Sequence, residues 1–399
     1  MSLLRSPLVQ ALEESFRAPL DDLARARGWP MSSEIARLGG LVRKLSEAYN
    51  ASDAAPPRTE DTLGARLIFS FPRDVPKGAA AVRELVRSGA LGLPEGRPLR
   101  VLDVGAGLGA TSRGVARALA ARGGVGEVQV DAVDPDGTAL DLASAIVRAR
   151  PREGGVTIGL QVIRGSAGAR QSARGPYDLI ILGQVLSELD RDMIDGRVSR
   201  HALLLQAYAE DLAASGSLVI VEPALRERTR HLHAVRDALL AAPAPIRLNV
   251  FAPCLHDAPC PMLPVANAWC HEDLDVDLPP WLVPVARAAG LRWQGLTFSY
   301  LVLRKDGQTQ AAGGPRGLRV VSGPVVTKGK RELFLCGMSE GADTASRLKV
   351  MRLDRHRAPA NADWDEAARG DVLTLEPPPT AAHPRVDAGT TVVRGPHGG

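Results

Sequence analysis

Cys254, Cys260 and Cys270 fall within seventeen residues of one another in "FAPCLHDAPCPMLPVANAWC", and Cys336 in "LFLCGMS" completes the four cysteines of the chain. The surrounding residues 251–275 are too polar and proline-rich to be a core, so the thiols are not explained as buried apolar filling. The spacing C-x5-C-x9-C-x65-C lacks the short knuckles of structural zinc sites and the C-x2-C runs of small ferredoxins. Four thiolates still suit either zinc or an iron-sulfur cluster, with His256 or His271 able to replace one of them. The spacing predicts a metal site and leaves the metal open.

A second constellation lies in "LRVLDVGAGLGATSRGVARAL", which reads as strand, glycine turn and helix. Gly105, Gly107 and Gly109 allow a ligand close to the backbone just before a helix begins. A dinucleotide fold would carry G-x-G-x-x-G, whereas Ala110 occupies the sixth position here. Asp134 ends the next strand, where a carboxylate can accept both hydroxyls of a ribose or, more plainly, cap the following helix. With Asp103 before the first glycine, the stretch resembles motif I of S-adenosylmethionine-dependent methyltransferases. The resemblance implies that Asp103, Gly105, Gly107, Gly109 and Asp134 bind that cofactor, with Asp103 near its cationic methionine end.

Two features depart from that superfamily. No acid stands near Ser166 to receive the adenine amino group. "LGQVLSELD" replaces the Asp/Asn-Pro-Pro-aromatic motif that holds a nitrogen nucleophile in amino methyltransferases. Glu188 in that segment is the one candidate catalytic base, beside a plain helix-surface role. "LPPW" at 278–281 begins with Leu and reads as proline opening a helix. A nucleophilic Cys254 or Cys260, as in cytosine-C5 RNA methyltransferases, would need to follow the fourth or fifth strand more closely than it does.

The elements that must position these residues follow from periodicity. Residues 1–90 carry apolar positions at helical spacing, as in "SEIARLGGLVRKLSEAYN", and the prolines of "DAAPP" and "FPRDVPKG" are expected to break this lead-in into separate helices. Residues 91–307 alternate short apolar runs, "LRVLDV", "VQVDAV", "TIGLQVI", "YDLIIL", "GSLVIVE" and "SYLVLRK", with helical segments. That alternation predicts an α/β fold, a doubly wound parallel sheet, with the cysteine loop 251–275 inserted late. "DGQTQAAGGPRG" reads as a linker. Residues 315–376 then alternate like strands of a small OB-like β-barrel, and residues 377–399 read as a disordered tail.

The chain of 399 residues has a formal charge of +4. Residues 315–357 hold ten Lys or Arg against four Asp or Glu, so the positive charge is concentrated in the expected barrel. Lys328, Lys330, Arg331, Arg347 and Lys349 are the candidate contacts to RNA phosphates. Glu13, Glu14, Asp21 and Asp22, and the lack of an apolar run among the first thirty residues, argue against a signal or transit peptide. No apolar run approaches the roughly 18 residues of a membrane span. The expectation is a soluble, cytoplasmic, monomeric protein.

"GSLVIVEPA", "FAPCLHDAPCPM", "WCHEDL", "FSYLVLRK", "YDLIILGQVLSELD" and "ARGDVLTL", with a final cysteine in a barrel strand, together resemble the methyltransferase-like proteins that assist assembly of the mitochondrial small ribosomal subunit, and their bacterial relatives. The resemblance spans approximately residues 35–376. It implies that Cys254, Cys260, Cys270 and Cys336 ligate a [4Fe-4S] cluster, and that the partner is small-subunit rRNA or a pre-ribosomal small subunit. The expected function is thus a small-subunit assembly or translation factor that binds adenosylmethionine. An active rRNA methyltransferase and a zinc-stabilised RNA-binding protein without turnover are the alternatives.

Overall fold

In the computed structural model, residues 8–50, 59–168, 175–193, 195–241, 243, 245–310, 317–338 and 343–395 are described. The N-terminal helices are Arg17–Arg25 (α1), Ile35–Asn50 (α2) and Glu60–Ala65 (α3), then a π-helical turn Arg66–Ser70 that runs directly into Phe71–Ser88 (α4). "FPRDVPKG" therefore opens a helix rather than breaking one. Pro72 occupies the first turn, where its missing N–H costs nothing, and Pro76 is accommodated one turn later. "DAAPP" lies outside the described residues.

The central sheet follows: Leu99–Val104 (β1), Ala110–Ala121 (α5), Gly126–Asp134 (β2), Gly137–Ala149 (α6), Arg152–Glu153 (β3), Val156–Arg164 (β4) and Tyr177–Gly183 (β5). It continues through Arg197–Glu210 (α7), Leu212–Glu222 (β6), Arg226–Ala241 (α8), Asn249–Ala252 (β7), Glu272–Leu274 (β8), Val283–Ala288 (α9) and Leu296–Arg304 (β9). The strand order is β3-β4-β2-β1-β5-β6-β9-β7, with β8 also on β9. Strands β4, β2, β1, β5 and β6 are parallel, whereas β9 runs antiparallel between β6 and β7. This is the doubly wound α/β sheet expected from the sequence. Its central strands are near-continuous Val, Leu and Ile because both faces are covered. The order reverses between β1 and β5, which opens a crevice at their C-terminal ends.

Helices α1 to α3 pack against α6 and α9 in a separate apolar cluster. Helix α4 crosses α5 unusually closely: a Cβ on Gly78 would stand 2.4 Å from the Thr111 carbonyl oxygen, and one on Gly114 would stand 2.3 Å from that of Val75. The N-terminal region is thereby fastened over the glycine turn.

The second sheet comprises Leu318–Val320 (β10), Val325–Thr327 (β11), Lys330–Met338 (β12), Ala345–Leu353 (β13), Val372–Glu376 (β14), Arg385–Val386 (β15) and Thr391–Arg394 (β16), with helix Asp363–Glu366 (α10) before β14. Its path, β15-β13-β12-β10-β14-β16, is open among the described residues, so this is a curled sheet and the expected OB-like barrel is not confirmed. The expected disordered tail is corrected. Residues 385–394 supply β15 and β16, which bury Val386 and Val392 against Trp364 and Leu375; residues 396–399 lie outside the described residues. A charged, proline-rich composition concealed two short strands whose order comes from tertiary burial rather than from propensity. Of the linker, 311–316 are not described.

The two sheets meet through a buried ionic cluster. Arg319 on β10 donates to both carboxylate oxygens of Glu84 on α4, at 3.1 and 2.9 Å, and to the Pro253 carbonyl at 2.9 Å. Tyr300 donates to Glu84 at 2.6 Å, and Arg83 pairs with Glu272 at 2.7 Å. Despite burial, Arg319 and Arg83 hold the Glu84 carboxyl below its ordinary range.

Candidate functional site

The crevice at the strand ends is a cleft of about 560 Å³. The turn from β1 into α5 forms its floor. Gly105, Gly107 and Gly109 all have left-handed backbones, with φ of 68°, 52° and 75°, which explains why the turn needs glycine at each. Gly105 is doubly constrained, because a Cβ there would lie 2.5 Å from Val185 Cγ2. Asp134 lines the cleft and braces the turn: one oxygen accepts from the Gly107 amide at 2.9 Å and the other from the Asp136 amide at 2.8 Å. The helix cap considered for Asp134 is supplied instead by Asp136, which accepts from the Ala139 amide.

Asp103 sits apart from this floor. It is 1 % exposed, it does not line the cleft, and neither oxygen makes a hydrogen bond of normal geometry. Burial pushes its carboxyl up to about 7, against a weak opposing pull from Ser112. Glu188 does line the cleft, in the segment after β5. That segment is held from below by Glu222, which accepts from the amides of Leu186 at 2.9 Å and Ser187 at 3.2 Å.

Residues outside the expected motif complete the cleft. Arg66, Arg73, Asp74 and Lys77 reach it from the π-helical turn and α4, Tyr49 from α2, and Arg228 from α8. Arg66 bonds the Tyr49 hydroxyl at 3.1 Å, and Lys77 pairs with Asp74 at 2.8 Å. For the α4 charges, the only signal in the sequence was that Lys77 follows Asp74 at i+3 and Arg73 at i+4 in "RDVPK", which puts both pairs on one helix face.

The four cysteines come together around a second cavity, of about 50 Å³, between the two sheets. Cys254 follows β7, Cys260 and Cys270 lie on the loop to β8, and Cys336 lies on β12 opposite Arg347 of β13 and Arg319 of β10. His256 Nε2 stands 3.9 Å from Cys336 Sγ. Burial, reinforced by the neighbouring thiols, pushes Cys260 up to about 11 and Cys270 up to about 12.

Helix α8 scaffolds the loop from one face. Arg230 donates to the carbonyls of Met262, Leu263, Val265 and Ala268 at 2.7–3.1 Å. One and a half turns on, Arg236 donates to the carbonyls of His256 and Ala258, and Asp237 accepts from the Cys260 amide at 2.8 Å. Around the thiols, Arg236 Nε, Arg347 Nε, His233 Nδ1 and His271 Nδ1 are buried without a hydrogen-bond partner. Among the described residues, no three His, Cys, Asp or Glu side chains are grouped closely enough to hold a single metal ion.

The family model of the mitochondrial small ribosomal subunit protein Rsm22 matches residues 71–369, three quarters of the chain. The chain belongs to the Rsm22 family. The match begins at the first residue of α4 and takes in the cysteine cavity with all four cysteines and most of the cleft lining, but not Tyr49 or Arg66. No curated protein sequence gives a significant match. Among solved structures, the chain is similar to a putative RNA methyltransferase from Pyrococcus horikoshii (14 % identity, 67 % of this chain and 98 % of that one, TM-score 0.33). It is similar also to the plantazolicin methyltransferase BpumL in complex with SAH (9 %, 69 % and 100 %, TM-score 0.36) and to an rRNA methylase from Streptococcus thermophilus (13 %, 56 % and 94 %, TM-score 0.31). Likeness at this level says nothing of activity.

The basic residues of this Rsm22-family chain separate into two groups. Lys328 is exposed at the β11–β12 turn, and Lys330 and Lys349 lie beside it, both paired with Glu332 at 3.2 and 3.0 Å. Arg331 points to the opposite face, where it donates to the carbonyls of Trp364 and Ala367. Arg347 lies over the Phe334 ring at 3.7 Å. Alternation along β12 decides this: odd positions face the apolar core and even ones face away. Among the described residues, no helix is long and apolar enough to cross a membrane.

Proposed function

We propose that this chain is an assembly or translation factor of the small ribosomal subunit that holds adenosylmethionine in the cleft and a [4Fe-4S] cluster among Cys254, Cys260, Cys270 and Cys336. The observation that carries the reading is the cysteine cavity. Thiols from both sheets converge on one space ringed by cationic or donor nitrogens that lack acceptors, which suits an anionic, thiolate-ligated group. A zinc ion on the same thiols is the alternative, and a cubane ligated at its four corners is the reading preferred here. When bound, it would supply a covalent tie between the sheets, adding to the Glu84–Arg319 pair.

Lys328, Lys330 and Lys349 form the face offered to rRNA, with Arg347 at its edge. Protein prepared without oxygen should be brown and carry about four irons per chain; a colourless chain with one zinc overturns the cluster. Three phosphate contacts predict a log–log salt slope of about −2 for single-stranded RNA, and salt-insensitive binding overturns the basic face. On the methyltransferase alternative, a methyl acceptor would sit beside Glu188, which lines the cleft. Transfer of tritium from labelled cofactor to small-subunit rRNA would establish turnover, and its absence with cofactor binding intact would assign the cleft to a binding role.

A further inference from the structure

We propose that Arg73, Asp74 and Lys77 of α4, with Gln184 beyond β5, form a receptor for the zwitterionic amino-acid end of the ligand in the cleft. This rests on the reading that the cleft takes adenosylmethionine. Such a ligand carries a nucleoside at one end and an ammonium and a carboxylate at the other. The cleft already has a nucleoside end, where Asp134 braces the glycine turn. At the other end an anion is needed for the ammonium, and Asp103, the residue expected there, does not line the cleft. Asp74 does.

The charges around Asp74 fit the remaining group. Lys77 stands 2.8 Å and Arg73 3.2 Å from its carboxylate, so two cations share one anion in a place where the three side chains are only 11 %, 33 % and 14 % exposed. One positive charge is left over, and holding it out of water is costly unless an anion joins it. Among the described residues, Lys77 Nζ has Asp74 as its one partner, leaving two of its three donors for a ligand carboxylate. Gln184 fixes the arrangement from the sheet side. Its Nε2 donates to Asp74 Oδ2 at 3.1 Å, and its backbone is left-handed at φ 62°, uncommon for a residue with a side chain. Just before it, Gly183 lies against Thr111, where a Cβ would stand 2.2 Å from Oγ1. Asp74 accepts the ammonium, Lys77 and Arg73 take the carboxylate, and Gln184 orients Asp74.

Titration calorimetry of the full chain with adenosylhomocysteine and with 5′-deoxy-5′-methylthioadenosine, which has the same nucleoside and no amino-acid end, tests this. The wild type should prefer adenosylhomocysteine. Lys77→Met and Arg73→Gln should each reduce that preference about tenfold, the loss of one charge-assisted hydrogen bond, and leave methylthioadenosine binding unchanged. Arg73 is the more exposed of the two, so its variant keeps the test decisive if Lys77→Met does not fold. A preference that survives both substitutions, or a loss shared equally by the two ligands, overturns the receptor alone. A wild type that binds neither nucleoside overturns the cofactor reading and this inference with it.

Discussion

Asp103→Asn should change how stability depends on pH. The carboxyl is raised from an ordinary 3.8 to about 7 because it is buried without a donor of normal geometry. Between those two values the unfolded chain holds Asp103 ionised while the folded chain holds it neutral, so folding takes up a proton. Stability contributed at this site is complete below about pH 4, falls as pH rises through the window, and levels off above 7. At 1.36 kcal/mol per unit, the full penalty is about 4 kcal/mol, of which about 2 to 3 kcal/mol accrues between pH 5 and pH 8. The amide variant keeps the shape and cannot ionise. Urea unfolding of both chains at several pH values, taken as the difference between them, cancels every other titrating group, including Glu222, which burial also raises to about 7. The variant should gain about 2 to 3 kcal/mol on the wild type between pH 5 and 8. A difference that stays flat to within about 0.5 kcal/mol would refute the reasoning, since it would mean that the carboxylate has a strong donor in solution.

Arg319→Met leaves Glu84 buried on α4 without its main partner and should cost about 3 to 5 kcal/mol in urea unfolding, with Glu84→Gln in the same chain recovering part of it. Gly78→Ala forces a methyl against the Thr111 carbonyl at 2.4 Å; thermal melting should fall by several degrees for a loss of about 1 to 3 kcal/mol, and an unchanged melt would show that α4 and α5 separate freely. Arg230→Met removes the donor to four carbonyls of the cysteine loop, so the loop should exchange amide hydrogen faster and anaerobic protein should retain fewer than the wild-type number of irons, while the central sheet melts as before.

The parallel sheet was legible because its strands are short apolar runs with no competing period: β1, β2, β4, β5 and β6 fall where those runs lie, while the last run became β9, which runs antiparallel. The glycine turn was legible for a similar reason: three left-handed positions leave no substitute for glycine. What the sequence concealed depends on contacts far apart in the chain. The role of Arg331 follows from which face of β12 it occupies and from carbonyls more than thirty residues later. Strands β15 and β16 exist because β13 and β14 offer them partners, not because "PRVDAGTTVV" favours extended structure strongly by itself. The charges of α4 were hidden in a segment whose prolines were expected to break helices, whereas α4 runs through both and turns them to the cleft.

Helix α4 links these observations. Its N-terminal turns put Arg73, Asp74 and Lys77 into the cleft, its middle crosses α5 through Gly78, and its last turns carry Arg83 and Glu84 to the junction with the second sheet. Glu84 receives Arg319, which lies opposite Cys336 in the β10–β12 ladder and also bonds the Pro253 carbonyl next to Cys254. One rigid element therefore touches the cleft at one end and the frame of the cysteine cavity at the other. A change in how the second sheet docks must either move Arg319 away from Glu84, exposing a buried charge to an unfavourable environment, or carry α4 with it. Because close packing at Gly78 resists the second course, the sheets are expected to dock in a single orientation, in which the exposed lysines of β12 and β13 hold a fixed position relative to the cleft.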